Sequence, residues 1–164
     1  MAKAFLIVGG TGTGKSTFVK KHLDTIDKKA IFLYDVNAEY KPYFPFPLIE
    51  LEDFADKATK IENGVIVFEE ATIFFSNRSS SDALRKLLVR KRHTNVVVFL
   101  IFHSLRTIPR YVYDLCNFVV LFRTNDSRQL IETKFDDERL TDVFDRVQRL
   151  SKKQPHYHEL FSIY

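Results

Sequence analysis

Short apolar runs alternate with stretches of helical length along most of this chain, and that alternation predicts its architecture. Residues 4–8 (AFLIV), 30–34 (AIFLY), 65–68 (VIVF), 96–102 (VVVFLIF) and 118–122 (FVVLF) read as strands. They are apolar on both sides of the period-2 repeat, as strands buried on both faces must be. Between them the spacing predicts helices over 16–25, 53–60, 82–92 and 136–152. It adds a short helix after Pro109 and another capped by Asp126 or Ser127. The stretch 40–47 carries three prolines among aromatics and reads as irregular, and 76–82 (SNRSSSD) reads as a polar loop ending in a helix cap. Residues 156–164 alternate enough for a final edge strand. Strands joined by helices imply a mostly parallel sheet with helices on both faces.

The turn after the first strand carries candidate chemistry. Gly9-Gly10-Thr11-Gly12-Thr13-Gly14-Lys15-Ser16 satisfies G-x-x-x-x-G-K-[ST], with a strand before it and a helix after it. Glycines let backbone N–H groups turn inward around phosphate oxygens, and the helix N-terminus adds positive potential. Lys15 is expected at the β- and γ-phosphates of ATP, the Ser16 hydroxyl on Mg²⁺, and Thr17 beside the α-phosphate.

The third apolar run ends in two acids, Glu69-Glu70, the form of a Walker B motif. The expectation is a parallel strand beside the phosphate-loop strand, which would bring both carboxylates to the metal and γ-phosphate. Glu69 would hold the Mg²⁺ shell, and Glu70 would orient or deprotonate an attacking water. Simple P-loop kinases and signalling GTPases usually lack the second acid, so the pair favours hydrolysis.

Length and composition narrow the class. The 164 residues are 45% hydrophobic and 28% charged, which suits one α/β domain spanning 1–164 and excludes a disordered or disulfide-built chain. A single cysteine, Cys116, permits no internal disulfide and no multi-cysteine zinc site. No apolar run approaches the ~20 residues of a membrane span, and the N-terminus lacks a signal-peptide layout. A soluble protein of the cytoplasm is expected. The net charge of +4 is uneven: residues 83–113 contain seven Lys or Arg and no acid. Such a block suits either a solvated helix face or a polyanion partner.

Taken in order, these motifs resemble the FtsK-HerA superfamily of DNA-pumping ATPases, which includes viral genome-packaging ATPases and the assembly ATPases of filamentous phages. The resemblance rests on the phosphate loop, on Asp35-Val36-Asn37-Ala38-Glu39-Tyr40 closing the second strand (D-x-x-x-E-Y), and on the Glu69-Glu70 pair. It extends through the segment from Arg90-Lys91-Arg92-His93 to His103-Ser104-Leu105-Arg106-Thr107-Ile108-Pro109, and Asn117 before the fifth strand also fits. It implies a RecA/FtsK-HerA-like P-loop fold, with Arg92 as an arginine finger serving a neighbouring subunit and His103 as the γ-phosphate sensor. Arg90 and Arg106 are the other finger candidates. Two positions depart from the family pattern: Glu69 stands where Asp is usual and His103 where Gln is usual. The implied protein is an ATP-hydrolysing, DNA-translocating motor that works as a homo-oligomeric ring, a pentamer or hexamer, on double-stranded DNA of any sequence. A viral genome-packaging ATPase fits best, acting with a capsid or portal protein in the host cytoplasm or at a virion vertex. Arg78 and the serines of 76–81 are candidate pore-lining groups. A small nucleotide or metabolite kinase and an ATP-dependent regulatory switch are the competing readings. Cys116, His22, His93, His156 and His158 carry no recognisable chemistry in the sequence.

Overall fold

In the computed structural model, residues 2–43 and 51–164 are described. Six strands form one sheet: β1 (Lys3–Val8), β2 (Ile31–Tyr34), β3 (Val65–Phe68), β4 (Val97–Phe102), β5 (Phe118–Phe122) and β6 (His158–Ser162). Their spatial order is β2-β3-β4-β1-β5-β6. The first five are parallel, and β6 pairs antiparallel with β5 at the edge. The helices are α1 (Lys15–Leu23), α2 (Leu51–Ala58), α3 (Arg78–Thr94), α4 (Arg110–Leu115), α5 (Arg128–Phe135) and α6 (Glu138–Leu150).

The helices divide unequally between the two faces. One face packs residues such as Leu6, Phe68, Leu100 and Leu121 against α2 through α6, in a core holding Leu84, Leu88, Ile131, Phe135 and Phe144. The other face packs Ile7, Val67, Ile101 and Val120 against α1 alone, through Val19 and Leu23, with Tyr40 and Tyr43 closing it near β2. The alternation of side chains along each strand feeds both cores at once, which is why these strands read as continuously apolar.

Three expectations are corrected. The strand carrying the acidic pair is not beside the phosphate-loop strand: β4 lies between them, with Phe68 level with Leu100 and Leu100 level with Leu6. The stretch 76–82 is not a loop; α3 begins at Arg78 because the Asn77 side chain accepts from the N–H groups of Ser79 and Ser80 at 2.7 and 3.3 Å. With Asn77 as the cap the helix starts four residues earlier than expected and its free N–H groups are satisfied, while Ser81 and Tyr111 share a hydrogen bond at 3.0 Å that anchors the first turn. Residue 136 does not start the last helix. Asp136 lies in the left-handed region (φ 47°) and Asp137 caps α6 through Arg139 N–H. Ser127 caps α5, while the Asp126 carboxylate accepts from Ser104 Oγ at 2.6 Å and from Leu105 N–H at 2.8 Å. Of the stretch read as irregular, residues 41–43 form a 3₁₀ turn and 44–47 lie outside the described residues.

Candidate active site

Because β1 is flanked by β4 and β5, the turn that follows it is tied down on both sides. Gly9 N–H donates to the Phe102 carbonyl at 3.1 Å, and Gly10 N–H donates to the Arg123 carbonyl at 2.8 Å. A Cβ on Gly9 would stand 2.5 Å from Phe122 Cβ, so no side chain fits there. Gly12 (φ 75°) and Gly14 (φ 103°) take the left-handed backbone that lets the chain wrap and enter α1. Thr13 Oγ1 donates to the Gly10 carbonyl at 2.8 Å and holds the wrap.

Lys15 leaves this loop buried, with Nζ donating to the Gly10 carbonyl at 2.9 Å and lying 3.3 Å from His103 Nδ1. Burial pushes its pKa down, while the carboxylates of Glu69, Glu70 and Glu39 oppose that shift. His103 directly follows β4, and its Nε2 is paired with Glu70 Oε1. Glu70 itself sits in the left-handed region (φ 55°), which turns its side chain out of the line of β3. The inserted strand β4 therefore brings His103 between the phosphate-loop lysine and the second acid.

Glu69 is 3% exposed and accepts the Tyr40 hydroxyl on Oε2 at 2.8 Å. Tyr40 is placed by Asp35, whose carboxylate accepts from the N–H groups of Glu39 at 3.0 Å and Tyr40 at 2.8 Å. A carboxylate bonding its own backbone four and five residues on folds the chain back from β2. Burial, then the nearby Glu69 carboxylate, pushes the Tyr40 phenol upward, and the neighbouring Ser16 side chain acts the other way. The phenol thus holds Glu69 on the side of the cleft that Ser16 also lines. A hydroxyl and a carboxylate lining one cleft are hard-oxygen donors of the kind Mg²⁺ takes.

Burial raises the Glu69 pKa to about 7, with the Tyr40 hydrogen bond working against the shift. A carboxyl that holds its proton more tightly folded than unfolded stabilises the fold at low pH and loses that contribution as pH rises toward 7. In the metal-free protein, thermal stability is expected to fall between about pH 4.5 and 7, by a limit of about 3 kcal/mol. Melting Glu69→Gln beside the parent at pH 5.5 and 7.5 checks this: the variant accepts the Tyr40 hydroxyl without ionising, so this part of its pH dependence disappears.

The loop and the acids open on one cleft of about 550 Å³, lined by Thr11, Gly12, Gly14, Lys15, Ser16 and Thr17 on one side and Glu69, Glu70 and His103 on the other. Lys20, Asn37, Glu39 and His156 complete its margin. Of these, Lys20, Asn37, Glu39 and His156 had no role in the sequence, nor did Tyr40, which is buried behind Glu69. The D-x-x-x-E-Y spacing carried a signal for Tyr40, since a buried Asp five residues back fixes it; nothing local marks His156.

Arg92 is not brought to this cleft. It lies in the last turn of α3, where the Thr94 carbonyl accepts Asn63 N–H and the Val96 carbonyl accepts Lys3 N–H, at the N-terminal end of the strands. The phosphate loop is at their C-terminal end, and the six residues of β4 separate the two by ~20 Å. Arg90 shares that remote position. Arg106, three residues beyond His103, is exposed at the cleft end. Along α3 the exposed residues include Arg78, Arg85, Lys86, Arg90 and Arg92, with Asp82 as the one acid in the helix. Arg85 lies over the Tyr111 ring at 5.6 Å.

A parallel sheet with a glycine-wrapped turn entering a helix, a buried lysine and a facing acidic pair defines a P-loop NTPase. The chain belongs to the HerA family: the model of the helicase HerA central domain matches residues 1–157. B204, the DNA-packaging ATPase of Sulfolobus turreted icosahedral virus, superposes with a TM-score of 0.76 at 17% identity, over 98% of this chain and 92% of that one. The genome-packaging NTPase B204 of Sulfolobus turreted icosahedral virus 2, in complex with AMPPCP, gives 0.72 at 16% identity over 98% and 92%. The pCW3 conjugation coupling protein TcpA, solved with ATPγS, gives 0.57 at 14% identity, over 86% of this chain and 54% of that one. No curated protein matches the chain. Among the described residues, no helix is long and apolar enough to cross a membrane.

Proposed function

We propose that this chain hydrolyses ATP to move double-stranded DNA, as the ring-forming ATPase of a viral genome-packaging machine. The observation that carries the reading is the His103 bridge between Lys15 and Glu70, set in a HerA-family domain. The solved neighbours named for DNA or genome packaging support the packaging choice.

The triphosphate lies along the loop from Gly9 to Ser16, with Thr17 at its α-phosphate side. Lys15 neutralises the β- and γ-oxygens; a lysine already stripped of water by burial has less hydration to lose on meeting phosphate. Ser16 and Glu69 would hold Mg²⁺, which when bound offsets phosphate charge. Tyr40 keeps the Glu69 carboxylate aimed at Ser16 and absorbs the extra methylene that Glu brings over Asp. Glu70 receives the proton of the attacking water, and His103 reports the γ-phosphate to Glu70 because both contact the same imidazole. Arg92, remote from its own cleft, completes the cleft of the next subunit in a head-to-tail ring.

The basic face of α3 supports contact with phosphates rather than bases, as a motor tolerant of any sequence requires. Duplex DNA is expected to raise ATP turnover, with the stimulation falling steeply as salt rises from roughly 50 to 200 mM. Phosphate release is measured with and without DNA and with no other acceptor present. Unstimulated, salt-insensitive turnover would exclude the DNA motor, and turnover appearing only with a small-molecule acceptor would replace it with a kinase.

A further inference from the structure

From the position of His156 we infer a subsite for the nucleoside end of the nucleotide, with the His156 ring as the contact for the base. The inference rests on the cleft being a nucleotide site.

The sheet order sets a direction across the cleft. Glu69, Glu70 and His103 come from β3 and β4, on one side of the phosphate-loop strand, while β5 and β6 lie on the other. His156 lies just before β6, so it stands at the opposite end of the loop from the acids and His103. A nucleotide whose γ-phosphate faces Glu70 and His103 extends its nucleoside toward His156.

His156 is exposed and lines the cleft, and it packs directly against the loop. A Cβ built on Gly14 would lie 3.3 Å from both Cβ and Nδ1 of the His156 side chain. Its backbone is in the left-handed region (φ 70°), which turns the residue away from the strand that follows. It therefore does not share a strand face with His158, as the alternation of 156–164 suggested.

The turn is anchored where it must be to hold a ligand contact. The His158 ring stacks on Phe122 at 4.5 Å between centroids and meets the edge of Phe18 at 5.2 Å; its Nδ1 is 3.0 Å from the His156 carbonyl. Phe18 belongs to α1, the helix that opens with Lys15, and Phe122 abuts Gly9. The cluster fixes the β6 turn to the phosphate loop itself. Among the described residues, no side chain hydrogen-bonds the His156 ring, so its face and nitrogens remain available in the cleft. A planar ring fixed over a phosphate loop suits stacking with a base.

His156→Asn removes the ring while keeping a residue that tolerates the left-handed backbone. Binding of ATP and of inorganic tripolyphosphate to parent and variant is measured by calorimetry, together with kcat and KM and a thermal melt to confirm folding. The expected result is ATP binding weakened about tenfold or more and KM raised with it, while tripolyphosphate binding is unchanged. Equal ATP affinity in parent and variant would overturn the subsite, as would a matching loss of tripolyphosphate affinity. Parent protein that binds neither ligand would instead overturn the nucleotide reading of the cleft.

Discussion

Arg92→Ala is expected to slow ATP turnover by ~10³–10⁵-fold while leaving ATP affinity unchanged, the range an arginine finger commands. The physical reason is a division of labour between two ends of the domain. Binding draws on the phosphate loop at the C-terminal end of the strands, from which Arg92 is ~20 Å distant along β4. An exposed arginine in the last helical turn contributes little to folding, so the variant should melt like the parent. Turnover and nucleotide affinity measured on the same preparation separate the outcomes. Unchanged turnover would remove Arg92 from the mechanism and pass the role to Arg106, which is exposed at the cleft end.

Glu70→Gln is expected to lower turnover by ~10²–10⁴-fold, because an amide cannot accept the proton of the attacking water. ATP binding should persist, and ATP should remain trapped, since Lys15 and the glycine loop are untouched. The variant amide still reaches His103, so the loss reports proton transfer rather than a collapsed cleft. Single-turnover measurements with ATP distinguish a slowed chemical step from slowed product release. If the variant hydrolysed at the parent rate, the base would have to be another group, with Glu39 at the cleft margin the next carboxylate.

The parts of this site that the sequence made legible are those built within one short segment. The loop from Gly9 to Ser16 carries its own geometry, and five buried strands announced themselves because both faces are covered. What stayed hidden was order in space. Nothing in the residues of β3 says that β4 will slide in beside β1, yet that insertion delivers His103 between Lys15 and Glu70. The start of α3 was hidden for another reason: a run of serines favours caps and turns, and only the Asn77 side chain, aided by the Ser81–Tyr111 bond, overrides it. Tyr40 was half legible, since its spacing was visible while its phenol's bond to Glu69 was not. His156 was illegible altogether. Its place in the cleft depends on a left-handed turn, on β6 folding back antiparallel across β5, and on packing against Gly14, more than a hundred positions away.

The basic stretch 83–113 also divides once folded. Arg85, Lys86, Arg90 and Arg92 lie on the exposed side of α3, whereas Lys91 is buried, donating to the carbonyls of Leu88 and Leu115. Arg110 is taken up by Asp114 and by the end of α5. Those two charges serve the fold, and the four on α3, with the exposed Arg106 beyond β4, are left for a polyanion or a neighbouring subunit.

In the proposed ring, each working cleft combines one subunit's phosphate loop with the next subunit's arginine. Mixing Lys15→Ala with Arg92→Ala tests it most directly, because each variant alone lacks one half of every cleft. In a random mixed ring about a quarter of the clefts join an intact loop to an intact arginine. Turnover measured with ATP and duplex DNA should therefore return to a substantial fraction of the parent rate on mixing, in particles of ring mass. A mixture as inactive as its two components, with protein that stays monomeric in ATP and DNA, would contradict the account.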